Sequence, residues 1–348
     1  MFENSQKTKL SQLGEFGLIE HLTKNIKLHH TNTIKGVGDD SAVIKNGDKL
    51  TVITSDMLTE GVHFDLIYTP LKHLGYKAII CNLSDVCAMN ATPKQVMVSF
   101  ALSSKFSLEA VEELYSGMLL ACDKYKVDLI GGDTTSSKSG LTISITAIGE
   151  TTEEKIAYRN TAKEKDLLVV SGDLGGAYTG LQVLEREKQI FIESPQVQPD
   201  LEGFDYILER QLKPEARLDV VEYLQEIGVV PTSMIDISDG LASEINHICR
   251  QSDVGCDVYE EKIPVDPQTF ETARSFNLDP TICALHGGED YELLFTIKME
   301  DFEKIKGSPL LTVIGHITDK SQGVRLIDKA GGVHNIEPKG WNAFGAKV

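Results

Sequence analysis

Acidic residues recur along this chain in short segments rich in glycine and hydroxyl side chains. They are Gly38-Asp39-Asp40, Thr54-Ser55-Asp56, Asn82-Leu83-Ser84-Asp85, Gly131-Gly132-Asp133-Thr134 and Asp236-Ile237-Ser238-Asp239-Gly240. Most close a short apolar run, and almost nothing basic sits among them. Crowded oxygens without cations suit a hard divalent ion, since Mg2+ takes carboxylates and water and usually shares a substrate phosphate. The chemistry expected is phosphate handling through metal instead of through lysine.

Each segment also has a plainer reading. Gly-Asp is common in solvated turns, so Asp39 and Asp40 gain meaning only if other acids converge on them. Thr54, Ser55 and Asp56 are expected at a strand exit, where all three could ligate a cation, with His63 shortly after as a substrate contact or a structural histidine. Asn82, Ser84 and Asp85 interrupt an apolar helical run, and a carboxylate buried there needs a partner or a metal; the alternative is an exposed stripe. Gly132 and Asp133 could bring backbone and carboxylate to a ligand, or make a hairpin turn. Asp236 and Asp239 flank Ser238, where a helix beginning near Ser238 would favour an anion; Asp239 could equally be an N-cap. Glu289 and Asp290 follow Gly287-Gly288 and could bind metal or the cationic part of a ligand. Arg159 could steady nucleotide phosphates or sit on the surface. The P-loop pattern G-x-x-x-x-G-K-[ST] is absent. The loop Gly172-Asp173-Leu174-Gly175-Gly176 does not fit G-x-G-x-x-G and reads as helix–strand packing, and His29-His30 lacks further ligands.

The elements that must position these groups follow from periodicity. Leu10, Leu13, Phe16, Ile19, Leu22 and Ile26 recur at helical spacing. Strands are expected over 49–54, 95–102 and 129–130, the last ending in the Gly131-Gly132-Asp133 turn. Pro70 should open a helix running to Asp85. Ser107 should cap one that carries Leu108, Val111, Leu114 and Met118 on one face. Leu141, Ile143, Ile145 and Ala147 alternate with polar residues, a strand with one buried face. Polar residues over 150–165 mark a boundary between a 1–155 and a 156–348 domain. The second begins with a strand over 167–170. Residues 187–205 read as irregular and exposed. Pro214 is placed at a helix start, strands over 233–237 and 291–297, and a helix over 241–251. Two α/β domains in series result.

The bulk composition narrows the partners. The chain has 348 residues and a formal charge of -18, which argues against nucleic acid or an anionic membrane as main partner. That charge also opposes any anionic substrate unless divalent cations intervene. No apolar run reaches the ~18 residues of a membrane span, and the opening residues lack the apolar core of a signal peptide. The six cysteines form no C-x-x-C pair and read as reduced thiols, which places the protein in the cytoplasm.

Taken together, GEFGLI, GVGDDSAV, TSDMLTEGVHF, NLSDVCAMNATP, IGGDTT, AYRNTAK, MIDISDGL and GGEDYELLF resemble, in that order, the thiamine-monophosphate kinase family. The match runs from Gly14-Glu15-Phe16 to Lys339-Gly340-Trp341. That family belongs with aminoimidazole ribonucleotide synthetase, selenophosphate synthetase and a hydrogenase maturation protein. The resemblance implies a two-domain PurM-like α/β (α+β) fold, with an N-terminal domain that pairs sheets across a homodimer. It implies transfer of the ATP γ-phosphoryl to thiamine monophosphate, with several Mg2+ ions. By motif, Asp40, Thr54, Ser55, Asp56, Asp85, Asp133, Asp236 and Asp239 would hold metal, with Asp85 and Asp239 central to catalysis. Gly132, Arg159 and Ser238 would touch ATP; His63, Glu289 and Trp341 would touch thiamine monophosphate. Asn90 stands where the family commonly has glycine, a change that Asn tolerates through left-handed backbone. Another ATP-dependent enzyme of the superfamily, or a silent nucleotide-binding protein, is the alternative. No cysteine precedes Cys81 and the chain ends Ala346-Lys347-Val348, against the cysteine chemistry of the selenophosphate and hydrogenase relatives.

Overall fold

The computed structural model describes residues 10–338, so Trp341 lies outside the described residues. A helix over Leu10–Thr23 (α1) leads into strands Thr33–Lys35 (β1), Ala42–Asn46 (β2) and Lys49–Thr59 (β3). Helix Leu71–Ala88 (α2), strand Thr92–Ser103 (β4), helix Leu108–Tyr125 (α3) and strands Asp128–Ser137 (β5) and Leu141–Thr151 (β6) follow. These strands form one sheet in the order β1-β2-β3-β6-β4-β5, antiparallel except where β4 meets β5. The second series holds Leu167–Ser171 (β7), Gly176–Glu193 (α4), Asp205–Leu212 (α5), Leu218–Glu226 (α6), Ser233–Ile237 (β8) and Leu241–Ser252 (α7). It continues with Gly255–Tyr259 (β9), Pro267–Ser275 (α8), Pro280–His286 (α9), Glu292–Ile297 (β10), Leu311–Thr318 (β11), Val324–Ile327 (β12) and Val333–Asn335 (β13). Its sheet runs β13-β12-β9-β11-β7-β10-β8.

The two sheets differ in what covers them, and their sequences show it. Strand β6 alternates buried and half-buried residues along its length, because only one face of the first sheet is covered, by α2 and α3. The other face is open and exposes Met57 and Met97 by 58% and 42%. The second sheet is covered on both sides. Leu167, Val169, Leu293 and Phe295 face the core shared with α2 and α3. Leu168, Val170, Ile235 and Leu294 face a second core with α7. Uninterrupted apolar runs are the expected signature of such strands.

Helix α2 is the joint between the layers. It packs on β3, β4 and β6 and reaches across to β8 and β10 of the second sheet. Every residue from Leu74 to Ser84 is buried. It crosses α3 at a pair of glycines: a Cβ on Gly75 would run into the carbonyl of Leu114, and one on Gly117 into the carbonyl of Lys72. Ser107 caps α3 by accepting from the Ala110 amide at 3.3 Å, and Asn90 has φ 51, as the sequence allowed.

Several expected boundaries shift. Strand β3 pairs with β6 without interruption as far as Thr59, so Ser55 and Asp56 lie inside the strand and not at its exit. Strand β5 runs straight through Gly131-Gly132-Asp133 by parallel pairing with Met97-Val98-Ser99, so no turn forms there. Helix α4 continues to Glu193 and Pro214 lies between α5 and α6, while α7 begins at Leu241 as expected, leaving Ser238 ahead of it. Leu108 is 69% exposed and leaves the buried face of α3. The apolar residues of α1 also stay largely on the surface, with Phe16 edge-on to His247 at 4.5 Å between ring centres.

Glycine-to-alanine exchange inside a helix normally gains up to about 1 kcal/mol. At Gly117 the sign should reverse, with Gly117→Ala lowering stability by about 1–3 kcal/mol in chemical denaturation, because backbone, and not a movable side chain, fills the space. A stabilised variant would mean that α2 and α3 do not cross at this point.

Candidate active site

Buried acids converge where α2 passes between the sheets. Asp40, Asp85 and Asp236, from three separate segments, each place one carboxylate oxygen within 4.8 Å of the others. Thr54 donates to Asp85 Oδ2 at 2.5 Å, and Ser84 donates to Asp236 Oδ2 at 2.7 Å. Asn82 accepts from the Asp56 amide at 3.1 Å and donates to the Ala78 carbonyl at 3.2 Å. The polar stripe of α2 is therefore buried and spent on both sheets, not exposed. Arg159 grips Asp40 with two nitrogens. Its backbone amide donates to Asp39 Oδ1 at 3.2 Å, while Lys35 pairs with the other Asp39 oxygen at 3.2 Å.

Burial disfavours charge on these carboxyls, and mutual repulsion adds to it. Burial, then Asp56, Asp236 and Asp40, push Asp85 well up. Burial and Asp40 raise Asp56. Burial and Asp40 push Asp236 to about 8 although Ser84 and Arg159 oppose it. Asp239 is pushed to about 6 by burial and Glu15. Close, desolvated, mutually repelling oxygens with hydroxyl neighbours fit a hard divalent cation such as Mg2+.

The acids open into a cleft of about 870 Å3 that also exposes His63, Lys77, Ser238, Asp239, Glu289 and Tyr291. The His63 Nδ1 accepts from the Thr59 amide at 3.0 Å, and burial lowers its pKa, leaving the ring neutral near pH 7. Asp239 is not an N-cap: Gly240 precedes α7, and Glu244 accepts from the Asp239 amide at 3.0 Å. Glu289 and Tyr291 have φ of 68 and 52, left-handed values that are strained for side chains of this size. Their amides donate to Ser238 and Ile237 carbonyls at 2.7 and 2.9 Å, which holds the turn against β8.

Three expected ligands stand apart. The side chain of Ser55 belongs to the opposite face of β3 and donates to the Ile145 carbonyl at 3.1 Å. Gly132 and Asp133 are exposed on edge strand β5. Asp133 shares a lateral row with Ser99, Ser144 and Met57, three strand spacings or about 14 Å from β3. The Gly172–Gly176 loop meets no ligand either. Asp290 fills it, accepting from the Gly175 and Ala177 amides at 2.8 and 3.3 Å, so an internal carboxylate takes the anion position at the start of α4. The residue that sequence reading passed over is Lys77. It sits in an apolar helical run, but eight residues before Asp85, with Cys81 between at steps of four; that spacing puts all three on one helical face.

Comparison with known proteins agrees with this geometry. The family model for AIR synthase related protein, N-terminal domain, matches residues 38–151, and the one for its C-terminal domain matches 163–327. The class is thus the two-domain AIR synthase-related, PurM-like fold. Thiamine-monophosphate kinase of Aquifex aeolicus is 35% identical over 97% of this chain and 100% of its own. The Escherichia coli K12 enzyme of that name is 32% identical over 95% and 98%. A solved structure, AaThiL complexed with AMPPCP and TMP, superposes with a TM-score of 0.82 at 33% identity, covering 97% of this chain and all of that one. This chain belongs to the thiamine-monophosphate kinase family. No helix among the described residues is long and apolar enough to cross a membrane.

A carboxyl with a raised folded-state pKa binds its proton more tightly folded than unfolded. Metal-free protein should therefore lose stability as pH climbs from the unfolded value of 3.8 through about 8, the range set by Asp236. Mg2+ competes with those protons, so the rise in Tm that it gives should grow between about pH 6 and about pH 8. Differential scanning fluorimetry with and without Mg2+ measures this; an ion effect independent of pH would place the cation elsewhere.

Proposed function

We propose that this chain transfers the γ-phosphoryl group of ATP to thiamine monophosphate, giving thiamine diphosphate and ADP, with Mg2+ held at the acid-lined end of the cleft. The observation that carries this reading is the convergence of Asp40, Asp85 and Asp236 in a member of this kinase family. AMPPCP, a non-hydrolysable ATP analogue, and TMP are together in the related complex, which supports the two substrates.

The residue inventory suits such a transfer. A phosphate monoester loses its second proton near pH ~6, so the acceptor arrives mostly as a dianion and needs no strong base. The obstacle is repulsion between two polyanions. Mg2+ held at the acid-lined end would supply positive charge to offset the phosphate oxygens of both substrates. In this chain Asp40, Asp56, Asp85 and Asp236 supply the ligand oxygens, Thr54 and Ser84 orient two of them, and Asp239 and Ser238 extend the site into the cleft. Arg159 steadies Asp40 and, under the same reading, contacts nucleotide phosphate. His63 and Glu289 line the acceptor's end, and Trp341 joins them under the same reading. Transfer is direct under this reading, and the Cys81 thiol, pushed far up by burial, is not offered as a nucleophile.

The same reading divides the chain into 1–155 and 156–348 domains and pairs two copies through the open face of the first sheet. Exposed Met57, Met97 and Ile130 support that pairing. Ser55, Gly132 and Asp133 lie on or beside that face, so their metal and nucleotide contacts belong to the paired form. Six free, buried cysteines support a reducing, cytoplasmic setting.

The test is ADP formation with ATP, Mg2+ and a panel of phosphate acceptors. Turnover is expected with thiamine monophosphate alone. Asp85→Asn should lower kcat by roughly a hundredfold or more, the scale of losing one major electrostatic contact, while the far-UV spectrum stays unchanged. Equal turnover with every acceptor, or full activity in the variant, would refute the proposal.

A further inference from the structure

Lys77 is a buried cation with no part in the acid cluster. Its side chain is 5% exposed, and its ammonium donates to the Gln211 carbonyl at 2.9 Å and pairs with Glu289 Oε1 at 2.9 Å. An ammonium has three N–H groups, so one remains for a ligand. Gln211 Nε2 donates to Glu289 Oε2 at 2.8 Å, which holds the carboxylate in register with the lysine. Among the described residues, the lysines that line the cleft are Lys77 and Lys188. Lys188 is engaged by Asp65 and Glu185 at 2.9 and 3.1 Å. Lys77 is therefore the cation of the cleft that stands between the acid cluster and the acceptor's end.

Its place on α2 sets an order. Lys77, Cys81 and Asp85 are spaced by four along one helical face, and all three line the cleft. Eight residues span about 12 Å of helix axis. That distance leaves room for the transferring phosphoryl group between the metal end and an acceptor phosphate at Lys77, with Glu289 beside it. Thiamine monophosphate carries its own charge pair, an anionic phosphate joined by a two-carbon arm to a cationic thiazolium ring. We propose that Lys77 is an acceptor-binding residue: its ammonium takes the acceptor phosphate while Glu289 takes the thiazolium, so the Lys77–Glu289 pair reads the acceptor as a zwitterion. The inference rests on the function proposed above and adds Lys77 and its division of labour with Glu289. Neutral or anionic phosphate monoesters draw Lys77 to their phosphate and bring no cation to replace it at Glu289, which is how the cleft rejects them.

The test uses full-length protein with two acceptors, thiamine monophosphate and its thiophene isostere, which has the same shape without the ring charge. Lys77→Met should raise KM about tenfold or more for both, because a charge-assisted hydrogen bond to phosphate is lost, with KM for ATP within about twofold, no measurable change on this scale. Glu289→Gln should raise KM for thiamine monophosphate and leave the isostere unaffected. The double variant separates this role from a structural one. If Lys77 serves only to neutralise Glu289, removing both charges restores binding of the isostere, which has no ring charge for Glu289 to take, and the inference fails. If Lys77 binds phosphate, the double variant binds the isostere no better than Lys77→Met does. Calorimetric binding of the acceptor in the presence of Mg2+ and a non-hydrolysable ATP analogue gives the same comparison without turnover, and thermal melts identify any variant that fails to fold. Absence of turnover in the unmodified protein sinks the function itself; normal turnover with an unchanged acceptor KM in Lys77→Met sinks this assignment alone.

Discussion

Helix α2 is sealed between two sheets, and this constraint shapes the rest of the molecule. A helix with no water on any side is ordinarily apolar all round. This one carries Asn82, Ser84 and Asp85 in its buried turns, so both sheets have to supply partners. Thr54 and the Asp56 backbone come from the first sheet, Asp236 from the second. An uncompensated buried carboxylate costs several kcal/mol, against a total stability of about 5–15 kcal/mol for a typical domain. The protein cannot keep all these acids ionised unaided, and Arg159 neutralises Asp40 alone. Protons fill the deficit in the absence of metal, and under the proposed function a divalent cation would replace them. The proposed cation site thus lies where the fold buries its charges.

The second sheet contributes Asp236 to the acid cluster and also braces the turn that carries Glu289. Glu292 is buried at the start of β10 and accepts from Ser171 at 2.5 Å, from Arg210 at 2.8 Å and from Arg217. Asp290, two residues earlier, is locked into the Gly172–Gly176 loop. Between and beside them lie Glu289 and Tyr291 in left-handed conformations. Such strain persists only where surroundings over-determine it, and here a charge network below and two amide bonds to β8 do so. Glu289 is presented to the cleft at a defined angle as a result. The glycine loop, read from its sequence as helix–strand packing, is spent on this task.

Much of this was legible in the residues and some was not. The one-sided β6 and the two-sided β7, β8 and β10 could be read from alternation against continuous apolar runs. The burial of Asp85 followed from its apolar surroundings. Boundaries failed where tertiary pairing overrode local signals: β5 crosses Gly131-Gly132 because β4 lies alongside, and β3 runs on past Thr54 because β6 pairs with it as far as Thr59. Lys77 was missed because a lysine in an apolar helix reads as a surface residue until its partners, Glu289 and Gln211, more than a hundred residues away, are in place. Long-range ion pairs leave no local pattern.

The pleat of β3 completes the picture. Thr54, Ser55 and Asp56 read in one dimension as a single ligand group, but successive residues of a strand face opposite ways. Thr54 and Asp56 turn toward α2 and the acids, while Ser55 turns to the open face with Met57 and, across the sheet, Asp133. One tripeptide therefore serves two surfaces, and extending β3 through it, instead of ending the strand before it, is what makes this possible. A turn at the same place would have let all three side chains converge on one ion. The strand couples the cleft on one side to the uncovered sheet face on the other. A partner covering that face would pack on the same strand that carries Thr54 and Asp56.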